Sequence, residues 1–259
     1  MMKAQGALLL TILLILVTVI IISSLQFFWQ TSTERRTEVQ FSEDIYVTQN
    51  ALKLSKLYVE SAMDYSVYQA MFDTGRNELP SSDSVLTDKL AEATAKNMKK
   101  YTESGYNFIG KTISLPQYAQ GSIIIKKTSD NRLNVSASAS GNIYHEETLI
   151  GQMENKLVRL GLDSKIERIY PFDYFSLYDK ALSVLNGLKD CTSETKTDGS
   201  YAISLDAKKK SKPCIVKISV TDTSRKFPVF NGTSVAFENI GFAFNAEVTE
   251  AGATALKST

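Results

Sequence analysis

From Ala7 to Trp29 the chain reads ALLLTILLILVTVIIISSLQFFW, an apolar run with no charge, no Gly and no Pro. Its only hydroxyl or amide residues are Thr11, Thr18, Ser23, Ser24 and Gln26. At 1.5 Å per residue, roughly 23 residues make a helix about 34 Å long, enough to cross a hydrocarbon core with slight tilt. A secretory signal peptide has a shorter apolar region, of about 7–15 residues, followed by a small-residue cleavage site. Here the small pair Ser23-Ser24 is followed by Leu25, Phe27, Phe28 and Trp29, which suit a membrane interface. The pattern predicts a retained transmembrane helix over 7–29.

No Gly or Pro occurs from Ala7 to Thr74, so the helix is expected to continue beyond the apolar run. The stretch from Thr31 to Asp44 is mostly polar, either a solvated helical stalk or a break. Leu54, Leu57, Tyr58, Ala62, Tyr65, Tyr68 and Phe72 then recur at helical spacing and predict one buried face. Gly75-Arg76-Asn77 ends this element and Pro80 prevents its resuming. Ser81-Ser82-Asp83 reads as the cap of a second helix of roughly 18 residues, with Leu86, Leu90, Ala93, Asn97 and Tyr101 on its stripe.

Beyond Gly110 the period changes to two. Ser122–Lys127 and Leu133–Ala139, joined by a turn at Asp130-Asn131, predict a hairpin to which Asn142–Glu147 adds a third strand. Met153–Leu160 is ambiguous between strand and helix, and Ile166–Tyr170 reads as a strand. Pro171 opens a short helix at about 172–186, whose Phe172, Phe175, Tyr178, Leu182 and Leu185 are spaced for burial. Tyr201–Leu205 and Cys214–Val220 are strands flanking a loop with Lys208, Lys209, Lys210 and Lys212, read as a solvated tip. A strand pair or one bent strand runs through Ser234–Val248, with a bulge expected at Gly241. The fold class is α+β: a transmembrane helix continuing into a long helix, a second helix, then a mainly antiparallel β-rich head. The expected partition is 1–6 leader, 7–29 transmembrane or filament helix, 30–110 helical stalk and hairpin, 111–249 β-rich head and 250–259 disordered tail.

Lys plus Arg number 29 against 28 for Asp plus Glu, a balance that offers no field for nucleic acid. Around the apolar run, Lys3 and the terminal amine precede while Glu34, Arg35, Arg36 and Glu38 follow. The positive charges leave the orientation nearly undecided. Two acceptor triplets for N-glycosylation, Asn134-Val135-Ser136 and Asn231-Gly232-Thr233, favour an extracytoplasmic head. So does the pair Cys191 and Cys214, a candidate disulfide worth about 3 kcal/mol in an exported domain and two buried thiols in a cytosolic one.

Motifs for chemistry are few. His145 is the only histidine, and no GxSxG elbow accompanies it. No GxGxxG, phosphate loop, HExxH or EF-hand loop occurs. Adjacent carboxylates such as Glu43-Asp44 and Glu146-Glu147 diverge on regular structure and make no acid/base couple. No catalytic residue, cofactor or metal ligand is expected, and the chain reads as a non-enzyme.

The N-terminus resembles the type IV pilin-like proteins, in particular the archaeal type with a class III signal sequence. In that family a short basic leader ends in Gly, and a membrane-embedded peptidase cuts before the apolar helix. Lys3, Gly6 and Ala7 match the basic residue, the last leader residue and the new N-terminus. The resemblance covers mainly the first 30 residues or so and implies a long spine helix with an exposed β-rich head. It also implies membrane lipid, a prepilin peptidase and sister or pilin-like subunits as partners. Thr11 stands at the fifth mature position, where major bacterial-type pilins carry Glu, which suits a minor pilin or assembly accessory. The alternative is a permanently anchored single-pass protein with an extracytoplasmic β-rich binding domain.

Overall fold

The computed structural model describes residues 2–150, 155–230 and 234–256, and side chains within them except at 2–19, 32–42, 77, 148–150 and 155–156. The first helix, α1, runs Met2–Asn77. The chain divides into two compact units, Met1–Asn50 and Ala51–Thr259. The first is helical throughout its described backbone; everything below in this subsection concerns the second.

Within it, α1 buries Ala51, Leu52, Ser55, Val59, Ala62, Met63, Ser66, Val67, Ala70 and Met71. Their spacing of three and four is that of one helical face. It is the expected face only in part: Ala62 and Phe72 are buried, whereas Leu54, Leu57 and Tyr65 are 37%, 57% and 47% exposed. The buried side is the one rich in Ala, Ser and Met, whose small or pliable side chains let the helix seat closely on the strands. Tyr58 and Tyr68 lie at its margin, where the Tyr58 hydroxyl donates to the Tyr101 carbonyl at 3.0 Å. At the helix exit Gly75 is buried so tightly that a Cβ there would overlap the carbonyl oxygen of Gly241.

The second helix, α2 (Asp83–Thr102), starts where Ser82 accepts from the Val85 amide at 3.3 Å. Asp83 in its first turn and Lys99 and Lys100 in its last complement the helix dipole. Its buried stripe is Leu86, Leu90, Thr94, Ala95, Asn97, Met98 and Thr102. Tyr101, expected on that stripe, is 36% exposed.

The strands are antiparallel throughout. β1 (Tyr106–Phe108) pairs β2 (Lys111–Ile113). β3 (Ile123–Lys127), β4 (Leu133–Ala137) and β7 (Ile166–Tyr170) form a three-stranded sheet with β4 central. The 143–150 strand is not the third strand of this sheet: β5 (Ile143–Ile150) pairs β6 (Asn155–Leu162) in a separate hairpin. α3 (Tyr174–Gly187) follows β7 and lies against the largest sheet. That sheet has order β14-β13-β10-β9-β8, from β8 (Glu194–Asp198), β9 (Tyr201–Ala207), β10 (Cys214–Asp222), β13 (Gly241–Thr249) and β14 (Gly252–Ala255). The remaining pair is β11 (Phe227–Phe230) with β12 (Val235–Glu238).

Two expectations fail here. Residues 234–248 do hold two strands, as one alternative expected, but these do not pair with each other: β12 joins β11, β13 joins β10, and Gly241 pairs in register with Thr221 rather than forming a bulge. The tail is not disordered throughout, since Gly252–Ala255 pairs with Val248 and its neighbours and the Leu256 amide donates to the Asn245 carbonyl at 2.8 Å. Gly252 takes φ +128, which only glycine adopts without strain, and so permits the return.

Aromatic side chains tie these layers together. Tyr174 and Tyr178 flank Phe242 at ring-centroid distances of 5.3 and 5.7 Å. Their hydroxyls donate to the Met71 carbonyl at 3.0 Å and the Pro80 carbonyl at 2.7 Å, fixing α3 to the end of α1 and the turn after it.

Candidate functional site

The apolar run begins outside the side-chain description, which opens at Ile20. Gly6 and Ala7, the expected processing residues, therefore lie outside it, and the expected transmembrane helix 7–29 is covered only from residue 20. Among the described residues no helix is long and apolar enough to cross a membrane. Within the covered part, Ile20, Ile21, Ile22, Leu25, Phe27, Phe28 and Trp29 each expose between 52% and 75% of their surface. Successive residues 20–22 point in different directions around a helix, so the uncovered apolar surface is broader than one stripe, with Ser23, Gln26 and Gln30 on the remaining side. The Ser24 hydroxyl donates to the Ile20 carbonyl at 2.7 Å and the Thr31 hydroxyl to the Phe27 carbonyl at 2.6 Å. These polar side chains are satisfied by the helix's own backbone.

Cys191 and Cys214 form a disulfide linking the segment after α3 to the start of β10. Lys212, in the lysine-bearing loop between β9 and β10, lies 3.5 Å from Asp190 and 3.9 Å from Glu250.

His145 sits on β5 with Nδ1 at 2.8 Å from the Thr112 carbonyl and Nε2 at 3.3 Å from Glu147 Oε2. Lys111 donates to the same carboxylate oxygen at 2.5 Å and holds the Glu147 carboxyl below its ordinary range. Both imidazole nitrogens are thus engaged by a backbone carbonyl and an ion-paired carboxylate, an arrangement that ties β5 to β2. Among the described residues no three His, Cys, Asp or Glu side chains are grouped to hold a metal ion.

Among the described residues of the second unit, two clefts bear on function. One of about 740 Å³ lies among the α1–α2 turn, α3 and β14, lined by Leu79, Pro80, Val85, Leu182, Leu185 and Leu256. The other, of about 440 Å³, is polar and lies between α3 and the β8–β9 edge. Its Asp198 is paired with Lys180, which lowers the carboxyl's pKa, and its Glu194 is 3.2 Å from Lys196. A carboxylate held ionised by a lysine is the opposite of the raised group that general acid catalysis requires.

One network had no signal in the sequence. Asp64 on α1 accepts from the Arg168 guanidinium and, at 2.9 Å, from the Tyr170 hydroxyl, both on β7. Burial and the Asp64 charge raise the pKa of the Tyr170 phenol, which stays neutral. The residues are 104 and 106 positions apart, so nothing local announces the contact. Of the two glycosylation candidates, Asn134 is in the central strand β4, and Asn231 lies outside the described residues, between Phe230 and Ser234. Compared with known protein families, curated proteins and solved structures, the chain matches none.

Proposed function

We propose that the chain is a non-enzymatic, pilin-like membrane-anchored or surface structural protein, a minor pilin or assembly accessory, with its C-terminal domain extracytoplasmic. The observation that carries this reading is the helix surface at residues 20–29. Seven large apolar side chains lie uncovered around it, with neighbouring hydroxyls satisfied internally. Such a surface requires a lipid or protein cover, because water around it costs roughly 25 cal/mol for each Å² of apolar area. Lipid is the cover before assembly, and the helices of sister or pilin-like subunits after it. The short leader Met1–Gly6, with Lys3 and a terminal Gly, supports removal by a prepilin peptidase before Ala7. The disulfide supports an oxidising compartment for the head.

The apolar cleft of about 740 Å³ favours a second reading, in which the helix stays in the bilayer and the β-rich domain binds a ligand. Membrane partition tests what is common to both: the full chain is expected to resist alkaline extraction, and a chain beginning at Thr31 to be released. Release of the full chain would refute both readings. Detection of the chain from Ala7 onward in sheared extracellular filaments separates them, since a permanent anchor stays with the cells.

A further inference from the structure

Two strands of the head have open edges. β14 ends the five-stranded sheet on one side, and β12 is the outer strand of its two-stranded sheet. The Leu256 amide donates to the Asn245 carbonyl, and bonded pairs alternate with unbonded ones along an antiparallel ladder. Gly252 and Thr254 therefore bond to β13, while the amides and carbonyls of Ala253 and Ala255 point away from it. On β11 the Phe230 amide donates to Gln69 at 2.6 Å, and the Phe230 carbonyl accepts from Gln69 at 3.1 Å. The Phe230–Val235 pair is thus unbonded, as is Pro228–Phe237, so Val235 and Phe237 turn their amides and carbonyls outward from β12. Among the described residues no other strand pairs with either edge.

The far edge of the large sheet is guarded and these two are not. β8 carries Glu194, Lys196 and Asp198, and such charges discourage strand addition. β14 carries none. On β12, Val235 and Phe237 are 67% and 69% exposed. The hairpin presenting them is firmly held, since Phe227 packs 4.8 Å from the Tyr68 ring and 5.0 Å from that of Phe172. Beside β14 lies the apolar cleft, with Leu79, Val85, Leu182 and Leu185 in its walls and Ala255 at its margin. Ala253 and Ala255 pair with Val248 and Ala246, which share a face of β13 with Phe242. Phe242 packs on Tyr174 and Tyr178, so this is the face that α3 covers.

We propose that β12 of one copy of this chain adds antiparallel to β14 of the next, seating Val235 and Phe237 in the cleft. This rests on the subunit-assembly reading above and makes the cleft a subunit contact rather than a ligand pocket. Pairing Ala253 with Phe237 and Ala255 with Val235 brings together the outward amides and carbonyls of all four residues, so each pair exchanges both of its N–H···O bonds. Paired residues carry their side chains on the same face. This register therefore turns Val235 and Phe237 to the α3 side, where the Leu182 and Leu185 walls of the cleft lie. Two copies of β14 could also pair edge to edge, but the small side chains of Gly252–Ala255 would leave the cleft unfilled. The two surfaces are unlike, so each copy offers one and accepts at the other, and the contact repeats from copy to copy. A few hydrogen bonds and two large side chains make a weak contact alone, and packed N-terminal helices raise its effective concentration.

Cysteine cross-linking of the full chain, in its native membranes and in sheared filament material, tests the contact. With Val235→Cys and Ala255→Cys in one chain, mild oxidation should give a ladder of dimers and longer species. A bonded antiparallel pair holds its Cα atoms about 5.5 Å apart, within disulfide reach. Either substitution alone should give no ladder. Adding Phe237→Ser should cut the ladder about tenfold and leave the unfolding midpoint unchanged, because that side chain lies outside the core. Ala253→Pro, which removes an outward amide and no bond to β13, should cut it as well. A ladder undiminished by both changes overturns the pairing. Dimers from Thr254→Cys alone would reveal symmetric β14 pairing and overturn it too. No ladder from filaments that contain the chain overturns the head contact and leaves the assembly reading standing. No ladder, with the chain absent from filaments, overturns both.

Discussion

Gly75→Ala is expected to destabilise the protein by about 1–3 kcal/mol, although Ala is the better helix residue by about 1 kcal/mol. The added Cβ would overlap the Gly241 carbonyl oxygen, with the carbonyl carbon at 3.0 Å and Phe242 Cα at 3.7 Å. All three atoms are backbone of β13, so no rotamer change relieves them. The strand is held by β10 from Gly241 to Val248 and by β14 from Ala246 to Thr249, and the Asp222 amide donates to the Ile240 carbonyl at 3.0 Å just before it. Withdrawing the helix end instead would stretch the Tyr174–Met71 and Tyr178–Pro80 hydrogen bonds. Denaturant unfolding of the full chain in detergent, followed by circular dichroism, measures the cost. Gly187→Ala is the matched control: it also lies at a helix end, but nothing comes within 4 Å of its Cβ position. The control should be neutral or slightly stabilising. Equal stability of the two variants would refute the close approach of α1 to β13.

Ser66 is fully buried with its hydroxyl unpartnered, so Ser66→Ala should raise stability by about 1 kcal/mol; a loss of that size in the same titration would show a missing partner. Asp64→Ala removes the acceptor of the buried Tyr170 hydroxyl and should cost about 1–3 kcal/mol, with Tyr170→Phe in the same chain recovering part of it. Burial pushes the Tyr118 phenol up to about 12 and raises Tyr170, Tyr174 and Tyr178 as well. Unfolded phenols ionise near pH 10, below these folded values. The stabilisation is therefore complete below about pH 10 and is lost as pH rises towards the Tyr118 value. Denaturant midpoints should hold between about pH 8 and 9 and fall above 10; a flat profile through 11 would contradict the burial of these hydroxyls.

Elements with strong local periodicity were legible before the structure. Leu133–Ala137 and Cys214–Val220 alternate cleanly because one face is buried, and Ser82 marks the start of α2 by its capping oxygen. The buried face of α1 was legible only in part: Ala62 and Phe72 lie on it, while Leu54, Leu57 and Tyr65 do not. Large apolar residues lie on both sides of the helix, and the side that packs is chosen by the closeness Ala51, Ser55, Ala62 and Gly75 allow. Strand partners were equally hidden, since alternation identifies a strand but not its neighbour: β5 left the β3–β4 sheet for β6, and β7 took its place. The tail escaped because AGATA has little β-propensity and is ordered by pairing with β13. Among the site residues, Cys191 and Cys214 were named from their number and joined by the structure, whereas the exposed hairpin face needed the β11–β12 register to be seen.

The central claim, a pilin-like helix released from a short leader, is tested most directly by the intact mass of the protein purified from its native membranes. A mature chain beginning at Ala7, with or without methylation of the new amine, is the result predicted. A chain retaining Lys3 to Gly6 would contradict it and leave a fixed membrane anchor.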